Sequence, residues 1–300
     1  MKITKSLLFT PCLALSPLFF HSATAVETDP VGYVTTDLPA GASLIGTPLT
    51  NDIQFSGLSG SVSGSTVNLS GLGTIESPAY LLVLSGTDVG ELSSIVSSTS
   101  SSVTLEQQLN GLAEGDSVRI ISHFTLSDLY EASGSTISDN SSVSVYNSSG
   151  TVETYTIFSG SWFDSSFAAS DNVIIFPGEG FVINLQSATS FTFVGNVNTA
   201  PFKLPVTSGV VNIVSSENPS TPTGQDSIGA ALNGLGDNST ISIYSNDGSL
   251  SLVETYTLFS GLWFDSSFNQ TEISVAAPST IVVNPQNTSD VTVPAAYTSE

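Results

Sequence analysis

Short apolar runs alternate along most of the chain with clusters of Ser, Gly, Asn and Asp. The runs at 65–72, 79–86, 117–124, 142–146, 172–176, 180–185, 190–195, 210–215, 240–244 and 280–284 are rich in Val, Ile, Leu, Tyr and Thr and end at turn formers, which predicts strands. The Ser-rich stretch 93–105 is expected to be an edge strand or a loop, because Ile95, Val96, Val103 and Leu105 supply apolar contacts. Helical periodicity is sparse. Residues 105–112, 126–132 and 227–235 are each expected to make a turn or two, the last stopping at Gly236. The pattern predicts an all-β protein built from antiparallel β-sandwich or meander units.

A repeat organises the second half. Residues 153–167 read ETYTIFSGSWFDSSF and residues 254–268 read ETYTLFSGLWFDSSF, thirteen of fifteen positions being identical. Upstream, DNSSVSVYN (139–147) matches DNSTISIYS (237–245), and the likeness runs on to Gln186 and Gln286. The expected division is a signal peptide at 1–25, an N-terminal β domain at 26–115, and two related C-terminal β-repeat units at 116–200 and 201–300. VRIISHFTL (118–126) is expected to open the first unit and VNIVSSENP (211–219) the second, while ASLIGTPLT (42–50) has a similar shape. NTAPFKLPVTSG (198–209), with two prolines, is expected to be a linker.

A two-residue turn at Ser159-Gly160 sets a hairpin register of Phe158 opposite Ser161, Ile157 opposite Trp162, Thr156 opposite Phe163 and Tyr155 opposite Asp164. Residues directly opposite share a face. One face then carries Glu153, Tyr155, Ile157, Trp162 and Asp164, and the other Thr154, Thr156, Phe158 and Phe163. The second copy places Glu254, Tyr256, Leu258, Trp263 and Asp265 against Thr255, Thr257, Phe259 and Phe264. Two readings stay open. In one, Tyr155, Trp162 and Asp164, with Tyr256, Trp263 and Asp265, form an exposed platform on which a sugar ring stacks while the acids accept bonds from its hydroxyls. In the other, the tryptophans are core and Asp164 opens the next turn by binding the backbone of Ser165-Ser166. FPGEGF (176–181) is read as a turn needing glycine dihedrals, with Glu179 as a loop acid in the functional alternative.

The first 25 residues change where this fold is expected to work. A basic start, an apolar stretch broken by Pro11 and Pro17, and Ala23-Thr24-Ala25 make a secretory signal. Cutting there removes Cys12, the chain's single cysteine. Arg119 and Lys203 remain against 26 acidic residues, a net charge of −24. Such a surface repels nucleic acid and anionic membranes and cannot neutralise phosphates. Without Cys there is no disulfide, thiolate nucleophile or Cys-based metal site. With His123 as the one histidine left, a multi-His metal centre is excluded. No GxSxG elbow, P-loop or GxGxxG opens a helix. No cofactor is implied. Loop-bound calcium is the one ion weighed, at SNDGS (245–249), which lacks the spaced acids of a calcium loop and reads as a hairpin turn.

TDPVGYVTTDLPAGASLIGTPLT (28–50), LNGLAEGDSVRIISHFTLSDLY (109–130) and FPGEGFVIN (176–184) occur in this order. Together they resemble the verrucomicrobial paralogues, a family of secreted bacterial proteins that opens with a Thr-Asp-Pro-Val-Gly-aromatic-Val run after its signal peptide. The resemblance implies export and a β fold, and carries no site. The expectation is therefore an exported protein, extracellular, on the cell surface or in the periplasm, with a non-enzymatic structural, adhesive or glycan-binding role. Its expected partners are extracellular glycans or other surface proteins, with no transmembrane segment after the signal. The alternative is a polysaccharide hydrolase using Asp164 and Glu179 as its carboxylates.

Overall fold

The computed structural model describes residues 30–147, 149–220, 227–275 and 278–297. The expected signal peptide, with Cys12, lies outside the described residues. The fold is all-β and antiparallel in every named strand pair, with two short helices among the described residues.

Two ribbons-and-sheet units of matching topology account for most of the chain. In the first, β1 (Val31–Leu38) pairs with β15 (Thr189–Asn196). A five-stranded sheet runs β12 (Ser161–Phe163), β11 (Val152–Phe158), β10 (Ser142–Tyr146), β14 (Gly180–Leu185), β2 (Gly41–Gly46). In the second, β16 (Phe202–Val206) pairs with β22 (Ser289–Val293). Its sheet runs β20 (Leu262–Phe264), β19 (Leu252–Phe259), β18 (Thr240–Tyr244), β21 (Ile281–Asn284), β17 (Asn212–Val214). A short helix covers each sheet, α1 (Leu126–Ala132) in the first unit and α2 (Ile228–Ala231) in the second. Thr125 and Ser227 cap their N-termini with a hydroxyl.

The first unit is interrupted. Between β2 and α1 lie β3 (Ile53–Ser63), β4 (Thr66–Leu69), β5 (Ala79–Val83), β6 (Leu92–Ser98), β7 (Ser102–Leu105) and β8 (Ser117–Ser122), which close into a six-stranded barrel. After the barrel, β9 (Phe124–Thr125) pairs with β13 (Ile174–Ile175). Alternate residues such as Val67, Leu81, Val103, Val118 and Ile120 fill the barrel's interior. Tyr80, Leu82 and Ile121, pointing outward, join the core of the second unit beside Phe202 and Leu204.

Several expectations are corrected. The segment 42–50, not 118–126, is the first unit's counterpart of 211–219, because β2 holds in the first sheet the place that β17 holds in the second. The boundary at 115 therefore does not divide the sheets: β1 and β2 belong with the first repeat, and 118–126 spans the barrel's last strand, β8, then β9 and the start of α1. The stretch 93–105 forms two strands inside a closed barrel rather than an edge, and 105–112 is irregular rather than helical. The expected linker contains β16, whose Phe202, Leu204 and Val206 are core, while Pro205 faces solvent on a ribbon that leaves its missing N–H unneeded.

The two units pack through equivalent faces. Leu44 and Val182 pair with one another in the first sheet as Ile213 and Val282 do in the second. These residues meet in one cluster with Tyr146 and Tyr244, which are also equivalents. Their contacts are reciprocal. Glu179 bridges to Val214 as Ser279 bridges to Ile45. Ser215 N donates to Gly178 O (2.7 Å) as Gly46 N donates to Pro278 O (2.8 Å). Such exchange is the mark of a two-fold interface, here within one chain. At the axis the symmetry breaks: a Cβ on Gly180 would lie 2.7 Å from the Thr280 methyl, so glycine in one unit makes room for threonine in the other.

Candidate functional site

The hairpin register is the one the Ser-Gly turn sets: Phe158 faces Ser161, Ile157 faces Trp162 and Thr156 faces Phe163. Phe259, Leu258 and Thr257 face Leu262, Trp263 and Phe264 in the same way. Ser159 (φ +50°) and Gly160 (φ +81°) both sit in the left-handed region, as do Ser260 and Gly261, which makes each a type I′ turn matched to strand twist. The repeated Asp-Asn pair buttresses it. Asp139 Oδ1 accepts from Ser159 N (2.7 Å), and Asp237 Oδ1 from Ser260 N (2.8 Å).

The Tyr/Trp face is the core, so the exposed sugar platform is corrected. Trp162 is 0 % exposed and Trp263 3 %. Trp263 Nε1 donates to Gly229 O on α2 (2.8 Å), whereas Trp162 Nε1 has no partner among the described residues. Tyr155 is buried and donates its hydroxyl to Glu153; Tyr256 is half-buried and donates to Glu254 (2.8 Å). Desolvation first, then the hydrogen bond to the carboxylate, raises both phenols, Tyr256 up to about 12. In both tyrosines the hydroxyl proton is committed to the neighbouring glutamate.

The acids are turn residues. Asp164 Oδ1 accepts from Ser166 N (2.8 Å), Ser166 Oγ (2.7 Å) and Ala168 N (2.9 Å). Asp265 Oδ1 accepts from Ser267 N (2.8 Å) and Asn269 N (2.8 Å), and Asn269 Nδ2 reaches its other oxygen. The hydroxyl of Ser166 chiefly, and the amide of Asn269 chiefly, hold these carboxyls below the usual range.

What the hairpins do expose is phenylalanine, on the opposite face. Phe158, Phe163 and Phe167 form a cluster with ring centroids 5.9–6.5 Å apart. Phe158 and Phe163 are half-buried and Phe167 is 73 % exposed. The second copy exposes Phe259 (56 %) and Phe268 (83 %) beside half-buried Phe264. Leu262, standing where the first copy has Ser161, widens this apolar surface. Phe167 (φ +63°) and Phe268 (φ +62°) hold the left-handed conformation, in the place where a bulged hairpin turn ordinarily puts glycine. That conformation costs a bulky residue on the order of 1–2 kcal/mol. Each unit therefore carries a strained residue whose ring buries little. Sequence reasoning placed Phe158, Phe163 and their counterparts on this face but did not single them out. Phe167 and Phe268 were missed, although a Phe at the end of Asp-Ser-Ser, where Gly fits best, was a signal in both copies.

The sheet edges beside the clusters are closed to strand addition. Ser170 N donates to Trp162 O (2.8 Å) and Thr271 N to Trp263 O (2.9 Å), so a returning segment covers β12 and β20.

Other polar features are structural. A cleft of about 590 Å³ between barrel and first unit is lined by Asp52, Glu76, Asp128 and Glu131 among others. Asp128 there closes the α1 capping box and accepts from Asn51 Nδ2 (3.2 Å). His123 packs between Tyr80 and Phe176 with Nε2 against Ser94 Oγ (3.2 Å), and burial lowers its pKa to about 4. At the inter-unit seam Glu217 is 3 % exposed and accepts from Gly178 N (3.1 Å). Burial pushes its carboxyl up to about 8, and that of half-buried Glu179 up to about 7. Glu179 and Asp164 flank strands three positions apart in the sheet, roughly 14 Å at about 4.8 Å per spacing, too far for a glycosidase pair. SNDGS forms a turn in which Asp247 Oδ1 accepts from Ser245 Oγ and Ser249 N, and these bonds, that to the Ser249 hydroxyl foremost, lower its pKa to about 2. Among the described residues no three His, Cys, Asp or Glu side chains are grouped to hold a metal, and no helix is long and apolar enough to cross a membrane.

Compared with models of known protein families, with curated proteins and with solved structures, the chain finds no match.

Proposed function

We propose that the protein is exported and acts outside the cytoplasm as a non-enzymatic contact protein, in an adhesive, structural or glycan-binding role. Its contact surfaces are the two phenylalanine clusters rather than the Tyr/Trp faces. The observation that carries this reading is the pair Phe167 and Phe268. Each is largely exposed and each sits at φ near +60° in the same turn of its unit. A residue that weakens the fold and buries little is retained for something other than the fold, and backbone strain of this kind gathers at functional positions. The signal-like first 25 residues and the resemblance to secreted verrucomicrobial paralogues support export.

The test compares the mature chain with its F167G/F268G variant, mixed with envelopes of the producing cells and sedimented. The wild type is expected in the pellet and the variant in the supernatant, with unchanged circular dichroism. A variant that sediments as well as the wild type overturns the reading. Fractionation of the producing cells checks export separately.

A further inference from the structure

We infer that each phenylalanine cluster stacks on the rings of a neutral polysaccharide, and that one polymer engages both clusters of a chain. This rests on the function proposed above and names the ligand class of the same surfaces.

Four observations select that class. The chain carries 26 acidic residues against four basic ones, so an anionic polymer is repelled over the whole surface. Asp164 Oδ1 and both oxygens of Asp265 already accept bonds from the turns that carry Phe167 and Phe268, so a ligand that needs these acceptors competes with the turns' own donors. The covered edges of β12 and β20 leave no ladder for an extended peptide or for the edge strand of a second copy. What each unit offers is a sheet face of rings bordered by hydroxyls. Phe158 and Phe163 lie beside Thr156, and Thr154 is hydrogen-bonded to Ser144 (2.9 Å) one pair further along. The C–H faces of neutral sugar rings fit such a surface without requiring a charge, at modest affinity per site.

The doubling supplies the rest. Two surfaces that share their phenylalanines and threonines in one register, the second widened by Leu262 in place of Ser161, take the same class of ligand, and a ligand with many equivalent faces is a polymer. Linking two weak sites on one chain raises the affinity for a long ligand by about 10²–10⁴ where both sites can engage, and leaves that for a short one unchanged.

The experiment is affinity electrophoresis of the mature chain, F167G, F268G, the double variant and F167W/F268W, in native gels. The gels contain hydroxyethylcellulose, galactomannan or xyloglucan, and carboxymethylcellulose serves as the anionic match to the first. At least one neutral polymer is expected to retard the wild type and the Trp variant, carboxymethylcellulose to retard neither, and each single Gly variant to bind the neutral polymer at least 10-fold more weakly. Hexasaccharide fragments of that polymer should compete equally poorly against wild type and single variants. Retardation by no neutral polymer, or by carboxymethylcellulose equally, overturns the inference. So does a single variant that keeps full affinity for the long polymer, or ring-dependent self-association in sedimentation velocity. If the double variant loses envelope binding while no polymer binds the wild type, the ligand class is wrong and the contact surface stands. If the double variant loses nothing in either assay, both fall.

Discussion

The two repeat units present nearly the same hairpin to solvent and differ in what stands behind it. Behind β12 the first unit places α1, closed by a capping box and carrying Tyr130 over the Gly160 turn. Behind β20 the second places the single turn of α2, whose Gly229 carbonyl receives the Trp263 indole. The first unit also carries the barrel, yet the barrel's outer residues Tyr80, Leu82 and Ile121 pack into the core of the second. Packing has thus been rebuilt separately in each unit. The turn chemistry has not: Asp139 and Asp237, Asp164 and Asp265, and the left-handed Phe167 and Phe268 match closely. Constancy of the turn acids and of the left-handed phenylalanines, beside divergence in what packs behind them, points to the phenylalanine turns as the part with a job in common, although Leu262 replaces Ser161 at their border.

Four outcomes sharpen or break that comparison, the largest first. Removing either indole empties a core site, and W162A and W263A should each lose about 3–5 kcal/mol in chemical denaturation. A loss under 1 kcal/mol in either unit would mean that its tryptophan is not the packed centre described. Next is pH, which acts on the seam rather than on either hairpin. The raised carboxyl of Glu217 means that the fold favours its protonated form. Stability from this group is full below the ordinary carboxylate pKa of 4.5 and is lost as pH rises through about 8. Between pH 6.5 and 9, above the range where buried His123 would matter, the wild type should lose about 2–3 kcal/mol, about 2 of it from Glu217 and the rest from Glu179, raised to about 7. E217Q should flatten most of that slope, and an equally steep profile in E217Q would remove Glu217 as the cause. Smaller is the difference between indoles. W263F loses a hydrogen bond to Gly229 that W162F never had, so it should be the more destabilising by about 1 kcal/mol. Equal losses would erase the contrast between the units.

Much of this was legible in the sequence, for reasons that can be named. Ser159-Gly160 and Ser260-Gly261 dictate a hairpin turn, and the turn dictates register, so the pairs Phe158–Ser161, Ile157–Trp162 and Thr156–Phe163 followed, whereas the expected Tyr155–Asp164 pair is not made, because β12 ends at Phe163 and Asp164 opens the next turn. Which face is core did not follow, because both faces carry large apolar residues. Only the burial of Ile183 and Phe181 beside the tryptophan face, and the solvent beyond Phe167, decides it. The start of the first unit was hidden by the barrel, whose strands at 53–122 stand between β2 and the rest of its unit and make 42–50 look like part of a separate domain. The Pro205 strand was hidden because proline in a short polar-looking stretch reads as linker until its ribbon partner, β22, is seen.

The central claim is that each unit holds an exposed phenylalanine against the preference of its own backbone. The smallest expected effect tests it most directly. Glycine at position 167 relieves the left-handed strain and removes little buried surface. The unfolding free energy of F167G, measured by denaturant titration beside the wild type, should therefore rise by about 1 kcal/mol. A fall of 1 kcal/mol or more would show that the ring is held there by packing, and would leave the fold, not a ligand, as the reason it is present.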